Sequence, residues 1–441
     1  MLTSYTKLRS VYFKVGFKLF LKKIFKYIYK KILKFISLLV LSPFLVILLI
    51  IVRLFSIFKQ IRFLPLNYDR IGNIYSLYWY QKLKNFDHKK NPGKFLDFFF
   101  IEKQNTRLSF WKNITTRNLK VLPFGYLWKI FFRFNDFLGN SDKYKIKNLS
   151  YLSTYYSTEK NFKDFNNFTH NFDLENFSKK KINLLNFNNK EINNGREFLK
   201  TKGTKEFSYV CFASRDSAYL KHRDSKFNWD YHNWRNCEID NYNSAINFLS
   251  NKNIVCFRTG YKVEKKISFS NDKIIDYADS IDQSRLLDIY LPSKCMFSIN
   301  AQSGLTLPLE FSCRPIVYVN WPDMHLNAWH NDSLVIFKKY YSNKKKRHLK
   351  FKEILDLDYE ILGKDFKKIQ KELDLSLEEN DPEEIRDVVE EQFKRIKNEW
   401  EESLEEKTLQ NKFWTIYEKK FIRSPSFRIG SNFLKKYSHL I

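Results

Sequence analysis

The sequence predicts an α/β protein of two Rossmann-like domains behind an N-terminal membrane-associated helical segment. Three observations carry this expectation. Short apolar runs alternate with helix-length patterns from residue 206 to residue 319, a strand–turn–helix unit opens at residue 61, and residues 35–52 form an uncharged, almost wholly apolar stretch. With 441 residues, 44% of them hydrophobic, the chain is long enough for two cores and extra segments at either end. The expected division is a membrane-associated segment at 1–58, a first Rossmann-like domain at 59–200, a second at 201–380 and C-terminal helices at 381–441.

The N-terminal segment explains part of the charge. Residues 1–34 contain ten Lys or Arg and no acidic residue, interleaved with Phe, Leu, Ile and Tyr, which is the pattern of a basic amphipathic helix. It runs into the apolar 35–52 stretch, at the lower limit for a bilayer-crossing helix. Pro43 falls within that stretch and favours a monotopic, in-plane helix over a full span, which stays open as the alternative. The positive-inside bias places the N-terminus in the cytoplasm. The overall charge of +29, from 77 basic and 48 acidic residues, follows from a Lys-, Asn-, Ile- and Phe-rich composition with only 11 Gly; an anionic membrane surface is the partner it suggests, and nucleic acid is not expected.

In the first α/β unit, the strand 61–66 leads through a turn containing Asp69, Arg70, Gly72 and Asn73 to a helix at 74–83, with a second strand at 95–101. Residues 142–190, rich in Asn, Ser, Lys and Phe, read as loops and an inter-domain passage. The second unit gives strands at 207–212, 253–257, 273–276, 295–300 and 315–319, and helices at 242–249, 284–291 and 304–311. Such alternation implies a parallel sheet covered on both faces. A last helix begins at Asp381, a cap, with Pro382 in its first turn and an apolar stripe of Ile385, Val388, Val389, Phe393, Ile396 and Trp400.

Ligands of parallel sheets bind at the carboxyl ends of strands. Those ends carry Arg215 and Asp216; Arg258 and Gly260; Asp276 and Tyr277; Ser303 and Gly304; and Asn320. Arginines can take the charge of a diphosphate through paired hydrogen bonds, and Ser303-Gly304 at a helix start offers free backbone N–H groups. Asp69 and Asp216 are candidate bases, and His222 and His232 are further loop residues able to act so. Asp356-Leu357-Asp358 matches a D-x-D metal motif by chance in a charged segment, and no metal or cofactor is expected. Zinc-protease, dinucleotide, P-loop and serine-hydrolase signatures are absent. Of the five cysteines, with no C-x-x-C pair, Cys211, Cys256 and Cys295 sit in apolar runs and read as core residues of a reducing compartment.

The run 210–220, Val-Cys-Phe-Ala-Ser-Arg-Asp-Ser-Ala-Tyr-Leu, resembles the first C-domain signature of a family of bacterial glycosyltransferases of the GT-B type, distantly similar to GDP-fucose-dependent fucosyltransferases. Further blocks agree: Arg235-Asn236-Cys237-Glu238-Ile239 with Tyr242 and Ala245; Arg258-Thr259-Gly260; Ser303-Gly304-Leu305 with Arg314-Pro315; and Asn320-Trp321. Arg70-Ile71-Gly72-Asn73 is similar to the family's Arg-Ile-Gly-His block, with Asn in place of His. Together they cover roughly residues 61–420. The resemblance implies a metal-independent hexosyl- or fucosyltransferase-like enzyme on the cytoplasmic face of the bacterial inner membrane. Its donor would be a nucleotide-sugar, and its acceptor a lipid-linked or surface glycan. Arg215 inherits contact with the donor diphosphate. Arg258, Gly260, Asp276, Tyr277, Ser303, Gly304 and Asn320 complete the donor set, and Asp69, Arg70 and Asn73 lie on the acceptor side. Ala213 stands where the related signature has His, so the donor sugar does not carry over. A non-catalytic basic membrane-surface binding protein and a polysaccharide pyruvyl transferase are the alternatives.

Overall fold

The computed structural model describes residues 17–90, 92–137, 139, 141–146, 183–269, 271–324, 332–357, 370–417, 424 and 426–441. The basic stretch before residue 17, most of the 142–190 passage and Asp358 lie outside them. The first elements are α1 (Phe17–Phe58), β1 (Gln60–Tyr68), α2 (Tyr75–Lys90), β2 (Phe95–Gln104), α3 (Ser109–Thr116), β3 (Val121–Leu122) and α4 (Gly125–Phe137). Then follow α5 (Asn189–Thr201), β4 (Tyr209–Ala213), α6 (Ala218–Arg223), α7 (Asn243–Asn251), β5 (Val255–Arg258), β6 (Ile274–Ile275), α8 (Leu287–Lys294), β7 (Phe297–Asn300) and α9 (Leu307–Phe311). The chain closes with β8 (Ile316–Trp321), β9 (Leu334–Phe337), β10 (Lys339–Ser342), β11 (Arg347–His348), α10 (Phe351–Leu355), β12 (Leu375–Glu378), α11 (Pro382–Lys397), α12 (Leu404–Tyr417), β13 (Arg428–Ile429) and α13 (Ser431–Lys436).

These elements form two compact units. The smaller draws on Met1–Leu66, Asp87–Lys103 and Leu119–Lys147, and the larger on Asn67–Phe86, Gln104–Asn118 and Asn148–Ile441. The smaller unit holds a sheet in the order β1-β2-β3, with Phe99 opposite Val121 in a parallel pairing. Leu45, Leu49 and Val52 of α1 pack with Phe63, Phe100 and Phe131 into its core. On β1, Arg62 is buried, and its guanidinium gives two bonds to Asp97, at 2.8 and 3.0 Å, while lying 3.9 Å from the Phe95 ring centroid. A cation this deep persists because the bidentate carboxylate and the aromatic face replace its water.

The larger unit is built on a seven-stranded sheet in the order β13-β9-β8-β7-β4-β5-β6, every neighbouring pair parallel. Its central strands are buried along their whole length, as a sheet covered on both faces requires. Strands β4, β5 and β6 step outwards in one direction, and β7, β8 and β9 in the other. The order therefore reverses between β4 and β7, which is the doubly wound pattern. An antiparallel sheet β11-β10-β12 stands apart from it.

Several boundaries differ from expectation for local reasons. The helix expected at 304–311 divides into a 3₁₀ turn, Gly304–Thr306, and α9, because Pro308 in the first turn of α9 has no N–H to continue the ladder. The helix expected from 284 starts at Leu287, with Ser284 Oγ accepting its N–H at 3.1 Å. The α11 cap is where the sequence places it: Asp381 accepts from Glu384 N at 2.8 Å, and the Glu384 side chain accepts from Asp381 N at 3.2 Å.

Helix α5 is seated on α8 through Gly195, where an added Cβ would lie 2.3 Å from the Tyr290 ring. That ring is fully buried and its hydroxyl donates to Glu206 at 2.7 Å, so it cannot swing aside. Alanine ordinarily gains about 1 kcal/mol over glycine in a helix. Here Gly195→Ala is expected to lower stability by about 1–3 kcal/mol in urea unfolding, because overpacking outweighs propensity. A variant as stable as the parent contradicts this packing.

Candidate functional site

The reversal of strand order singles out the loops after β4 and β7. After β4, Arg215 is only 9% exposed; its Nη1 donates to the His232 carbonyl at 3.1 Å and to Asn236 Oδ1. Cys237 N donates to the Arg215 carbonyl at 2.9 Å, and Asn236 Nδ2 donates to Ser217 Oγ at 2.9 Å. Two blocks separated by a score of residues are thus bonded into one platform. Asp216 has both carboxylate oxygens on backbone: Oδ1 accepts from Ala218 N and Oδ2 from Glu264 N, each at 2.9 Å. These two bonds pin the 259–264 loop beside α6.

After β7, Ser303 Oγ accepts from Leu305 N at 3.3 Å, so one of the N–H groups expected to be open is used within the turn. Gly304 is set by space. An added Cβ would come 2.6 Å from Ile71 Cγ2, in the turn that follows β1. The Arg70–Asn73 turn and the β7 loop therefore meet, although they are more than two hundred residues apart in sequence.

Both loops open into a cleft of about 640 Å³ within the larger unit. Of the residues singled out in the sequence, Asp69, Arg70, Asn73, Arg215, Asp216, Gly260, Ser303 and Gly304 line it. Arg258, Asp276, Tyr277 and Asn320 are outside the lining. Arg258 is 1% exposed, its Nη1 donating to Lys265 O at 2.8 Å and to Asp276 Oδ2 at 3.1 Å. A guanidinium so deep needs its partners in the fold, and Asp276 is engaged by the same pair. The Tyr277 hydroxyl donates to Asp288 Oδ1 at 3.0 Å. Asn320 lies within β8 at φ 51° and clamps Asn380: its N donates to Asn380 Oδ1 at 2.6 Å, and its Oδ1 accepts from Asn380 N at 2.7 Å. These four residues are bonded within the fold at or beside strand ends and stand outside the cleft lining.

The cleft is cationic. Six arginines and Lys262 line it against four carboxyl groups. Arg285 is partly committed, with Nη1 donating to Ser109 Oγ at 2.9 Å. Burial, then the charges of Arg235, Arg215 and Arg70, push the His232 imidazole down to about 3, so it is neutral at physiological pH. Its ring lies 3.9 Å from that of Tyr231 and stacks near Trp229 at 6.2 Å. His222, the other histidine candidate, does not line the cleft.

Two lining carboxyls were not singled out in the sequence. Burial raises Glu310 to about 7, against the Tyr75 hydroxyl that donates to it at 2.5 Å. Burial raises Asp288 to about 6, with the Tyr277 hydrogen bond acting the other way. One signal was available for both: each is a lone acidic residue in an apolar helix segment, Leu-Pro-Leu-Glu-Phe and Leu-Leu-Asp-Ile. A carboxyl there must either leave the core or resist ionisation. Among the described residues no group of three or more His, Cys, Asp or Glu is arranged to hold a metal.

Comparison with models of protein families gives no match. Comparison with curated proteins likewise gives none. Among solved structures, E. coli heptosyltransferase WaaC with ADP is similar at 11% identity and a TM-score of 0.30, covering 71% of this chain and 97% of its own. The same enzyme with ADP-2-deoxy-2-fluoro heptose is similar at 12% identity and a TM-score of 0.30, covering 71% and 99%.

The His232 shift has a sign that can be checked. The folded protein binds fewer protons there than the unfolded chain, so this contribution to stability is full above the ordinary value of 6.5 and is lost as pH falls towards about 3. Imidazole NMR is expected to show no titration of His232 between about pH 8 and about pH 5. His232→Gln is expected to flatten the acid limb of the stability profile. Titration of His232 near its ordinary value counts against the arginine cluster.

Proposed function

We propose that this chain is a metal-independent glycosyltransferase of the GT-B type, moving a sugar from a nucleotide-sugar to an acceptor hydroxyl. One observation carries the reading: a single cleft holds the cluster of Arg70, Arg215 and Arg235 about a neutral His232 together with Glu310, a carboxyl at about 7. Sugar transfer needs both features. As the acceptor oxygen attacks the anomeric carbon, the bond to the diphosphate breaks and negative charge grows on the departing phosphate. Guanidinium groups already fixed in place stabilise that charge without reorganising. The acceptor hydroxyl must lose its proton, and a carboxyl that is about half ionised at neutral pH is matched to receiving it. The sequence blocks similar to bacterial glycosyltransferases support the same reading, since their Arg215 and Asn236 are bonded to each other at the cleft wall.

In this reading Arg215 and Arg70 hold the donor diphosphate, Glu310 is the base with the Tyr75 hydroxyl orienting it, and Asp69 is the second choice for that role. Ser303 and Gly304 form the floor. The apolar stretch of α1 and the lysines N-terminal to that stretch support a lipid-linked or surface glycan as acceptor, with the enzyme on the cytoplasmic face of the bacterial inner membrane.

The test is turnover with a panel of nucleotide-sugars, read by mass spectrometry for released nucleoside diphosphate. Arg70→Ala, at an exposed position, is expected to reduce donor turnover by roughly 10–100-fold with the fold intact by circular dichroism. Glu310→Gln is expected to cost roughly 100-fold or more and to remove the rise of activity through about pH 7. If no nucleoside diphosphate binds saturably, or if both variants turn over donor as the parent does, the assignment fails.

A further inference from the structure

Helix α1 has two apolar faces, and the fold uses one. The helix turns about 100° per residue. Leu45, Leu49 and Val52 therefore project to one side, where they pack into the core of the smaller unit. On the opposite side Val46, Ile47, Ile50, Ile51, Leu54 and Phe58 are all exposed, Ile47 by 59% and Phe58 by 86%. The window Val40–Phe58 has a mean hydropathy of 2.6, yet only 17% of it is buried. Within this window no polar side chain interrupts the outward face. The window's only polar residues, Ser42, Arg53 and Ser56, project towards the packed side or its edges, with Ser56 Oγ bonded to Val52 O at 2.7 Å. N-terminal to this window the same helix carries seven lysines between residues 17 and 34, and Lys22 and Lys26 are exposed. Phe124 and Tyr126, at the start of α4 in the same unit, are exposed as well.

From this we infer that α1 lies in the plane of an anionic lipid surface, its outward face sunk among the acyl chains and its lysines among the headgroups, while its inward face stays on the protein. A broad apolar face of this extent on a water-exposed helix marks an interaction surface. The lysine run selects an anionic partner, and the apolar face with no polar break selects hydrocarbon. By length alone the 19-residue window, roughly 28 Å, nearly matches a bilayer core. Spanning is nevertheless incompatible with the packing. Leu45, Leu49 and Val52 would carry their partner strands with them, taking the Arg62–Asp97 pair of β1 and β2 into hydrocarbon. The inference stands independently of the chemistry in the cleft.

Full-length protein is mixed with vesicles of phosphatidylcholine alone, or of phosphatidylcholine and phosphatidylglycerol in equal parts, and floated on a density gradient. Binding is expected to both, stronger to the anionic vesicles, with the difference removed by high salt. Ile47→Glu with Leu54→Glu, both on the outward face, is expected to weaken binding by about tenfold or more with an unchanged melting temperature. Unchanged binding by that variant overturns the inference, as does a lipid-free dimer that buries the face and shows no affinity for vesicles. Orientation is read from an environment-sensitive label at Ile47→Cys or Leu54→Cys in a Cys313→Ser background, the other four cysteines being buried. Quenching by brominated lipids is expected to place both positions at one shallow depth, whereas a difference of roughly 10 Å along the bilayer normal means a spanning helix and defeats the in-plane assignment.

Discussion

A guanidinium taken almost out of water organises the larger unit. Arg215 stands where strand order reverses, and the His232 carbonyl and Asn236 Oδ1 help replace the solvent its charge has lost. Satisfying that one group fixes the loop after β4 against the 232–237 segment. It also brings Arg235 beside His232 and holds the imidazole neutral. Asn236 is engaged further, since its backbone carbonyl accepts from the buried Lys338 Nζ at 2.5 Å. Cations converge here from three parts of the chain, and a wall so charged is stable only while backbone and amide oxygens remain turned towards it.

The carboxyl groups obey the same constraint with opposite outcomes. Asp216 is held by two backbone N–H groups, which spends its side chain on loop geometry. Glu310 and Asp288 each accept a tyrosine hydroxyl, from Tyr75 and Tyr277, which offsets only part of the effect of burial, and each resists ionisation. Four acids in one cleft thus divide into a structural group, an exposed one in Asp69, and two with pKa values near those that acid–base chemistry at neutral pH requires.

In the smaller unit the deciding constraint is the use of α1 from both sides. Its packed face supplies the core of a three-stranded sheet too small to bury enough apolar surface by itself. Among the described residues its outward face has no counterpart within the unit, and apolar side chains are exposed along the length of the window.

Period and punctuation were enough to show the parallel α/β character of residues 206–321, the Asp381 cap and the long apolar helix, because each depends on neighbours in sequence. The Arg215 block was legible for the same reason, as polar residues directly follow a buried strand. Which strand ends face the cleft was not legible. Arg258 and Arg215 look alike in sequence, each an arginine at the end of an apolar run, yet the fold bonds Arg258 to Asp276 and turns Arg215 to the cleft wall. Glu310, Tyr75 and the Ile71–Gly304 approach were equally hidden, since their partners are more than two hundred residues away. Sequence determines which groups must be buried or paired; only tertiary packing decides with whom, because desolvation and charge interactions depend on distances that no linear spacing records.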